Sequence, residues 1–257
     1  MKVVFCCRDN YPSKYIANKL YDNGFLQSLI VESQTIASGN KIKWLLRNKN
    51  ILTLPVIFLD IIAFSVYSYT VNSRLNMFIK KEKHIKDFPA KAKRFYVSNI
   101  NSDKSIQILS KEEPDVAVVY GTSILKEKVI KIPKLSILNI HSGVVPYYRN
   151  VHSDFWAYLN KDFNRIGVTI IHLDKGIDSG DIALQRIIKM GKKKSLTTVK
   201  KDNLILAGDL IVEALQKVEQ KTLPRIQQKG KHFLFPTPGF LDIAKLFVRF
   251  IFSLSGK

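Results

Sequence analysis

The sequence predicts an α/β fold with a doubly wound, mostly parallel sheet. Three short runs, at 2–7, 115–121 and 136–141, are almost continuously apolar, as are strands buried on both faces of a parallel sheet. Segments in which apolar residues recur at helical spacing alternate with such runs, which is the order of β-α-β units. The 257 residues, of which 46% are hydrophobic, are enough to fill one large core.

The predicted elements follow one another in a clear order. KVVFCC, at 2–7, precedes the polar loop RDNYPS, and the helical pattern after this loop ends near Gly24. LQSLIVES, at 26–33, is predicted to be the second strand. Beyond the strand at 136–141, the patterns predict a helix at 152–162, strands at 167–174 and 182–190, and helices at 198–219 and 240–254.

Two apolar segments need a partner of some kind. An insertion at about 34–92 contains the stretch 51–69, which approaches the length of a membrane span but is interrupted by Pro55 and Asp60. We favour a buried or dimer-forming helix there over an interfacial membrane helix, and either of them over a true span. The helix at 240–254 has a wide apolar arc, which a core, a second subunit or a bilayer would cover. Basic residues flank the first segment at Lys41, Lys43, Arg47, Lys49, Lys80, Lys81 and Lys83.

Charge and cysteine content narrow the class of protein. Forty-one Lys and Arg against 21 Asp and Glu give a net charge of +20, which favours a phosphate-bearing metabolite, an anionic membrane or nucleic acid as partner. A lysine-rich surface that serves only solubility explains the charge equally well. Cys6 and Cys7 are neighbours on a strand, so neither a disulfide framework nor a CxxC metal pair is expected. We predict a cytoplasmic protein without a signal peptide or a metal site.

Polar residues end the strand at 136–141, where ligands of parallel sheets bind. Asn139 and His141 lie two positions apart and therefore on one face of that strand. An imidazolium and a carboxamide can both donate hydrogen bonds to a developing oxyanion, and a nearby carboxylate can orient the imidazole. Candidate carboxylates lie in an acidic turn between two apolar strands, although they can also serve only to hydrogen-bond that turn: Asp174, Asp178 and Asp181. This set suits acyl transfer without a covalent enzyme intermediate.

The order of these motifs resembles a known family. An NxH motif, then PxYR, then GVTxxxLDxGIDxGDI, is similar to the formyltransferases that use 10-formyltetrahydrofolate. The resemblance covers about 110–190 closely. It implies a Rossmann-like catalytic domain, at 1–220 here, with a helical insertion, and a short extension at 221–257 that contains the amphipathic helix. Its departures from the usual pattern include Gly143 after the NxH motif and Asn150 after the PxYR motif.

The resemblance also implies roles for individual residues. Asn139 and protonated His141 would stabilise the oxyanion that forms when an amine attacks the formyl carbon, and Asp178 would position His141 and help to remove the amine proton. The pterin head of the folate would lie between two segments: Thr122, Ser123, Ile124 and Leu125 in the first, and Asp174, Lys175, Gly176 and Ile177 in the second.

The acceptor is expected to be a nucleotide-linked amino sugar, of the 4-amino-4-deoxy type used for surface polysaccharide. Few residues follow Glu219, which disfavours a methionyl-tRNA acceptor, and the loop after the first strand has no glycine for the phosphate of a glycinamide ribonucleotide. An anionic, ring-bearing acceptor would instead be bound by Arg8, Asn10, Tyr11, Lys14, Tyr147, Tyr148 and Arg149. The two tyrosines can alternatively serve only to pack their loop.

Two further expectations concern partners. The segments 51–69 and 240–254 suggest either peripheral contact with the inner face of a membrane or a homodimer interface. A non-catalytic basic protein that binds RNA or lipid remains the alternative to the enzyme. Nucleic acid is nevertheless disfavoured, because no aromatic RNA-recognition motif accompanies the basic residues that would bind it: Lys192, Lys193, Lys194, Lys200 and Lys201.

Overall fold

A computed structural model describes residues 1–33, 54–190 and 195–255, with side chains at 1–33, 55–190 and 195–248. The first part of the predicted insertion and Lys192, Lys193 and Lys194 lie outside these residues. The strands are β1 (Val3–Arg8), β2 (Leu26–Glu32), β3 (Lys93–Val97), β4 (Val116–Tyr120), β5 (Ser136–His141), β6 (Gly167–His172) and β7 (Ile182–Ile187). The helices are α1 (Tyr11–Asp22), α2 (Leu54–Lys81), α3 (Asp103–Glu112), α4 (Glu127–Ile130), α5 (Ser153–Leu159), α6 (Leu196–Glu219) and α7 (Phe240–Ser255).

The seven strands form one sheet in the order β3-β2-β1-β4-β5-β6-β7. The five strands from β3 to β5 are parallel, whereas β6 pairs antiparallel with β5 and β7 pairs antiparallel with β6. The predicted doubly wound, mostly parallel α/β fold is therefore confirmed. β3 was not predicted, because KRFYV at the sheet edge is only partly buried and lacks the continuous apolar run of the central strands.

The core lies on both faces of the sheet. Alternate residues of β1 enter separate clusters, so that Cys7 packs with α1 and α6 on one face while Cys6 packs with α3 on the other. Burial raises the pKa of the Cys6 thiol to about 12 and that of Cys7 well above its ordinary value. Both cysteines are accordingly core residues rather than reactive thiols.

The predicted apolar helix in the insertion is longer than its sequence pattern indicated. α2 runs to Lys81, and its C-terminal half is anchored in the core through Val71, Leu75, Phe78 and Ile79. Its N-terminal half packs against α7 but leaves much apolar surface exposed. By length and composition alone, α2 is the one described helix that could span a membrane.

The C-terminal extension runs back over the sheet before it reaches α7. Its backbone pairs with β7 at Ile182 and Ile226, and with the loop after β5 at Arg149 and Leu234. Farther along, Phe235 stacks on an aromatic side chain of α5. The extension thereby closes one side of the region in which β5 ends.

Candidate active site

A cleft of about 470 Å³ opens at the carboxyl ends of β1, β4 and β5. This is the edge at which parallel α/β sheets bind their ligands. One wall comes from the loop after β4, one from the end of β5 and the start of α5, and one from the acidic turn between β6 and β7. α2 and α6 close the far end with Asn72, Leu75, Lys200, Asn203 and Leu204.

Asn139, His141 and Asp178 meet in this cleft. The Asn139 amide donates a hydrogen bond of 3.1 Å to Asp178 Oδ1, and His141 Nδ1 lies 3.3 Å from Asp178 Oδ2. Both the imidazole and the carboxylate are largely buried, which strengthens their electrostatic interaction relative to water. The residues that the sequence placed on two separate motifs thus form one contiguous group.

The orientation of the His141 ring is fixed from its other nitrogen. Nε2 lies 2.8 Å from the backbone carbonyl of Tyr148 and 3.3 Å from the hydroxyl of Ser153. Because a carbonyl can only accept, Nε2 carries a proton and Nδ1 is the atom that faces Asp178 and the cleft. Ser153 was not among the predicted site residues, since it lies on α5, twelve positions after His141.

The two departures from the usual family pattern have local explanations. A side chain at Gly143 would collide with Ser153 and with His141 Nε2, at 2.5 and 2.6 Å from a Cβ atom. The Ser153 hydroxyl therefore occupies the space beside His141 that a residue at 143 would fill. Asn150 has a φ of 72°, the left-handed conformation that asparagine tolerates, and its backbone N–H donates to Asp178 Oδ2 at 2.9 Å.

Asp178 sits in a constrained turn that the C-terminal extension supports. Its own φ is 48°, an uncommon value for a residue other than glycine. Gln228 donates to the carbonyls of Asp178 and Gly180 at 2.8 and 2.7 Å, and accepts from Arg149 Nε and Nη2 at 3.1 and 2.7 Å. No pattern in the sequence marks Gln228, because the residues that it joins are distant along the chain.

The loop after β4, at 122–125, is held by a buried carboxylate. Glu32, at the end of β2, accepts from the backbone N–H groups of Ser123 and Ile100 at 2.8 and 2.9 Å. Thr122, Ser123, Ile124 and Leu125 all line the cleft, and Asp174, Gly176 and Ile177 line it from the opposite turn. Lys175 instead points away and pairs with Glu127 at 2.9 Å. Seven of the eight predicted cofactor-binding residues therefore face the cleft.

Most of the residues predicted to bind the acceptor do not line this cleft. Only Asn10 lines the cleft, and it also caps α1 through the N–H of Ser13. Arg8 pairs with Glu32, and Lys14 pairs with Asp9 and Asp87 while lying 5.2 Å from the centre of the Tyr11 ring.

The predicted aromatic pair also lies away from the cleft. Tyr148 is buried beneath Phe235, and Tyr147 stacks with the guanidinium of Arg165 at 3.9 Å. Arg149 is bound to Gln228 outside the main cleft. None of these three residues lines the main cleft, and the two tyrosines pack against Phe235 and Arg165, so their contact with an acceptor stays a prediction.

The cleft contains polar residues that the sequence did not single out. Lys200 Nζ lies 2.9 and 2.7 Å from the two carboxylate oxygens of Asp154, which is buried. Burial and the Lys200 charge lower the pKa of the neighbouring His152 to about 4, so this imidazole is neutral at pH 7. Asn203 is only 2% exposed, yet neither atom of its amide has a hydrogen-bond partner.

Within the described part of the chain, no group of three or more His, Cys, Asp or Glu side chains is arranged to hold a metal ion. The cleft carries amide, imidazole, carboxylate and ammonium groups. Those groups supply hydrogen-bond donors and one proton acceptor at the end of β5, and an ion pair at the end near α6.

Comparison with known proteins is consistent with this geometry. A methionyl-tRNA formyltransferase from Methylacidiphilum infernorum is 36% identical over 138 residues, which cover 53% of this chain and 42% of that protein. The chain spans less than half the length of the curated relatives that it matches here.

Two solved structures share the fold. A sugar N-formyltransferase from a Shewanella species has a TM-score of 0.58 at 16% identity, over 97% of this chain and 87% of that one. HypX from Aquifex aeolicus, in complex with tetrahydrofolic acid, has a TM-score of 0.53 at 16% identity, over 93% and 30% of the two chains. The family model for formyl transferases matches residues 72–215, which include the whole Asn139–His141–Asp178 group. The chain therefore belongs to the formyl transferase family.

Proposed function

We propose that the protein transfers a formyl group from 10-formyltetrahydrofolate to the amine of a nucleotide-linked amino sugar in the cytoplasm. The observation that carries the proposal is the meeting of Asn139, His141 and Asp178 beside the loop at 122–125. Two hydrogen-bond donors and a carboxylate thus converge where a flat cofactor can enter. The relatives' functions are consistent with the reaction type.

The cleft walls suit the flat head of a folate. Ile124 and Ile177, exposed by 67% and 39%, offer apolar surface on opposite walls of the cleft. The backbone between them offers N–H and carbonyl groups that can bind the edge of a heterocycle. Glu32 keeps the first wall in place through Ser123. When bound, the folate supplies an activated formyl carbon, and the tetrahydrofolic acid complex of the Aquifex protein with the same fold supports this choice.

The three central residues have distinct tasks in the proposed reaction. The Asn139 amide and a protonated His141 Nδ1 donate to the formyl oxygen as negative charge develops on it. Asp178 lies within reach of both donors, so it holds them in position and accepts a proton from the attacking amine, directly or through a water. The bond between the formyl carbon and the folate nitrogen would then break, and that nitrogen would take up a proton, which leaves a formamide on the acceptor and free tetrahydrofolate. Tyr148 and Ser153 keep the imidazole from rotating away.

The polar groups at one end of the cleft are the reason for proposing an amino-sugar acceptor. The unpaired amide of Asn203 offers a donor and an acceptor, which suits a sugar hydroxyl or a nucleobase edge. Lys200 and Asp154 add charge at the same end. Methionyl-tRNA is the second candidate, because the sequence relatives carry that name and the net charge of +20 favours a polyanion.

A panel assay tests the proposal. The enzyme and 10-formyltetrahydrofolate are incubated with several nucleotide-linked amino sugars, with methionyl-tRNA and with glycinamide ribonucleotide, and each product is weighed by mass spectrometry. We expect one formyl mass on an amino sugar. The His141→Asn variant should lose about 10²–10⁴-fold in rate. His84 is exposed and lies outside the cleft, so His84→Asn should keep full activity. Transfer only to methionyl-tRNA would refute the sugar acceptor, and equal rates in both variants would refute the site.

A further inference from the structure

An apolar stripe runs along the exposed side of α2. Phe58, Ile62, Val66 and Tyr69 recur at intervals of four, four and three residues, and are exposed by 53%, 59%, 62% and 78%. Residues at this spacing lie on one face of a helix. We call these four side chains the outer stripe. Contiguous apolar surface of this kind is rare on a soluble monomer unless something binds to it.

The opposite side of α2 is already occupied. Phe64 and Tyr67 contact His152 and Phe155 through their rings, and Val71 and Leu75 are buried in the core. The outer stripe is thus left over after the helix has made its contacts within the fold.

The outer stripe also lacks charge. Asp60 is the one charged residue between Leu54 and Ser73, and its carboxylate accepts from the backbone N–H of Phe240 at 2.6 Å. This contact directs the charge towards the start of α7 and away from the stripe. The neighbouring α7 contributes the exposed apolar side chains Leu241, Phe247 and Val248.

We propose that the outer stripe and α7 dock the protein on the surface of an anionic phospholipid bilayer. Apolar side chains on an amphipathic helix enter the boundary between headgroups and acyl chains, and basic residues beside them bind anionic lipid. Arg74 and Lys81 on α2 and Lys245 on α7 are exposed basic residues of the same two helices. The net charge of +20 favours an anionic surface and opposes association with a second, equally charged copy.

The docked helix lies along the bilayer surface and does not cross it. A crossing would remove Val71, Leu75, Phe78 and Ile79 from the core that they share with α1 and α6. Lying flat, α2 brings the cleft close to the headgroups, because Asn72 in the cleft follows Tyr69 of the outer stripe by less than one helical turn. An acceptor held at a membrane would then be within reach.

Co-sedimentation with vesicles tests the docking. The full chain is mixed with vesicles of equal parts phosphatidylglycerol and phosphatidylcholine, and with vesicles of phosphatidylcholine alone, at low and at high salt. We expect binding to the first kind, weakened by salt. The double variant Ile62→Gln and Val66→Gln should bind about tenfold or more weakly, because it removes apolar area from the membrane contact without adding charge.

A matched control and a mass measurement complete the test. The double variant Tyr96→Gln and Leu135→Gln changes two other exposed apolar side chains and should bind as the unchanged protein does. Light scattering reports the oligomeric state of each form. The proposal is overturned if the unchanged protein does not bind the anionic vesicles, if both double variants bind equally well, or if the protein is a dimer that Ile62→Gln and Val66→Gln convert to a monomer.

Discussion

Asn203 is an unusual residue for the middle of a helix that packs on a sheet. Its buried amide leaves a donor and an acceptor unpaired, at a cost of about 1–3 kcal/mol in a folded protein. A residue that lowers stability and lines a cleft is a candidate for ligand contact. We predict that Asn203→Leu raises the free energy of unfolding by about 1 kcal/mol and raises the KM for the acceptor about tenfold, with the KM for the folate unchanged.

Denaturant unfolding and steady-state kinetics measure these two effects. Leu204→Met, at the next cleft position, is a volume-conserving control that should alter neither quantity strongly. A more stable Asn203→Leu enzyme with unchanged kinetics would show that the amide does not contact the acceptor.

His152 makes the fold sensitive to acid. Because burial and the Lys200 charge lower its folded pKa from 6.5 to about 4, between these pH values the unfolded chain binds a proton that the folded chain does not. The stability that depends on an uncharged His152 is fully present above pH 6.5 and is lost as the pH falls towards 4. His172, whose pKa is also lowered, chiefly by burial, acts in the same direction.

The variant His152→Asn tests the acid sensitivity. Asparagine tolerates the φ of 57° at this position and does not titrate. From pH 7 to pH 5 the free energy of unfolding should fall for both proteins. We predict that the fall is about 1–2 kcal/mol smaller for the variant than for the unchanged protein. Denaturant unfolding at a series of pH values measures the slope, and identical slopes would contradict the assignment to His152.

Individual residues differ in how far the sequence predicts them. Asn139, His141 and Asp178 are predictable, because strand alternation places the first two on one face and the acidic turn follows at a recognisable motif. Ser153 and Gln228 are not, since their roles arise only when distant segments meet in space. The packing of Tyr147 and Tyr148 away from the main cleft was not predictable either, because a sequence pattern does not reveal to which side of a loop a ring turns.

At the scale of elements, the C-terminal extension supports the turn that carries Asp178. Gln228 makes four hydrogen bonds with Asp178, Gly180 and Arg149. We predict that Gln228→Ala lowers kcat about 10- to 100-fold, because a small displacement of Asp178 misaligns His141. Binding of the folate should change less, since its first wall depends on Glu32.

The neighbouring Gln227 provides the control for this prediction. Gln227 is exposed, and Gln227→Ala should leave kcat unchanged. Equal activity of the two alanine variants would show that the turn is rigid without support from the extension.

Strands and helices, like single residues, were predictable where a local sequence pattern reports their burial. The central strands were predictable because burial on both faces leaves continuous apolar runs, as in VAVVY of β4. α2 was predicted as a helix but too short, because only its exposed N-terminal half is uniformly apolar, while its anchored half alternates with Asn72, Arg74 and Asn76. The antiparallel pairing of β6 and β7 was not predictable from their apolar residues. It depends on the turn between the two strands, which does not alter the apolar pattern of either one.

At the scale of the whole molecule, the segments on the two sides of the predicted domain boundary near residue 220 are closely packed against each other. Phe235 of the extension stacks between Tyr148 and Trp156, with ring centres 5.1 Å apart in both cases. The Trp156 indole also donates to the carbonyl of Pro236 at 2.9 Å. These contacts join residues about eighty positions apart, so a boundary drawn from composition does not foresee them.

We therefore predict that the chain unfolds in a single cooperative transition, with the extension included. Phe235→Ala should lower the free energy of unfolding by about 2 kcal/mol, less than the roughly 3–5 kcal/mol typical of a fully buried phenylalanine, because Phe235 is only half-buried. Phe233→Ala, at an exposed position nearby, should cost well under half as much. Calorimetry measures both, with near-ultraviolet circular dichroism reporting on Trp156. Two separate transitions, of which Phe235→Ala shifts only the first, would instead make the extension an independent unit, and the support that Gln228 gives to Asp178 would then be lost before the sheet unfolds.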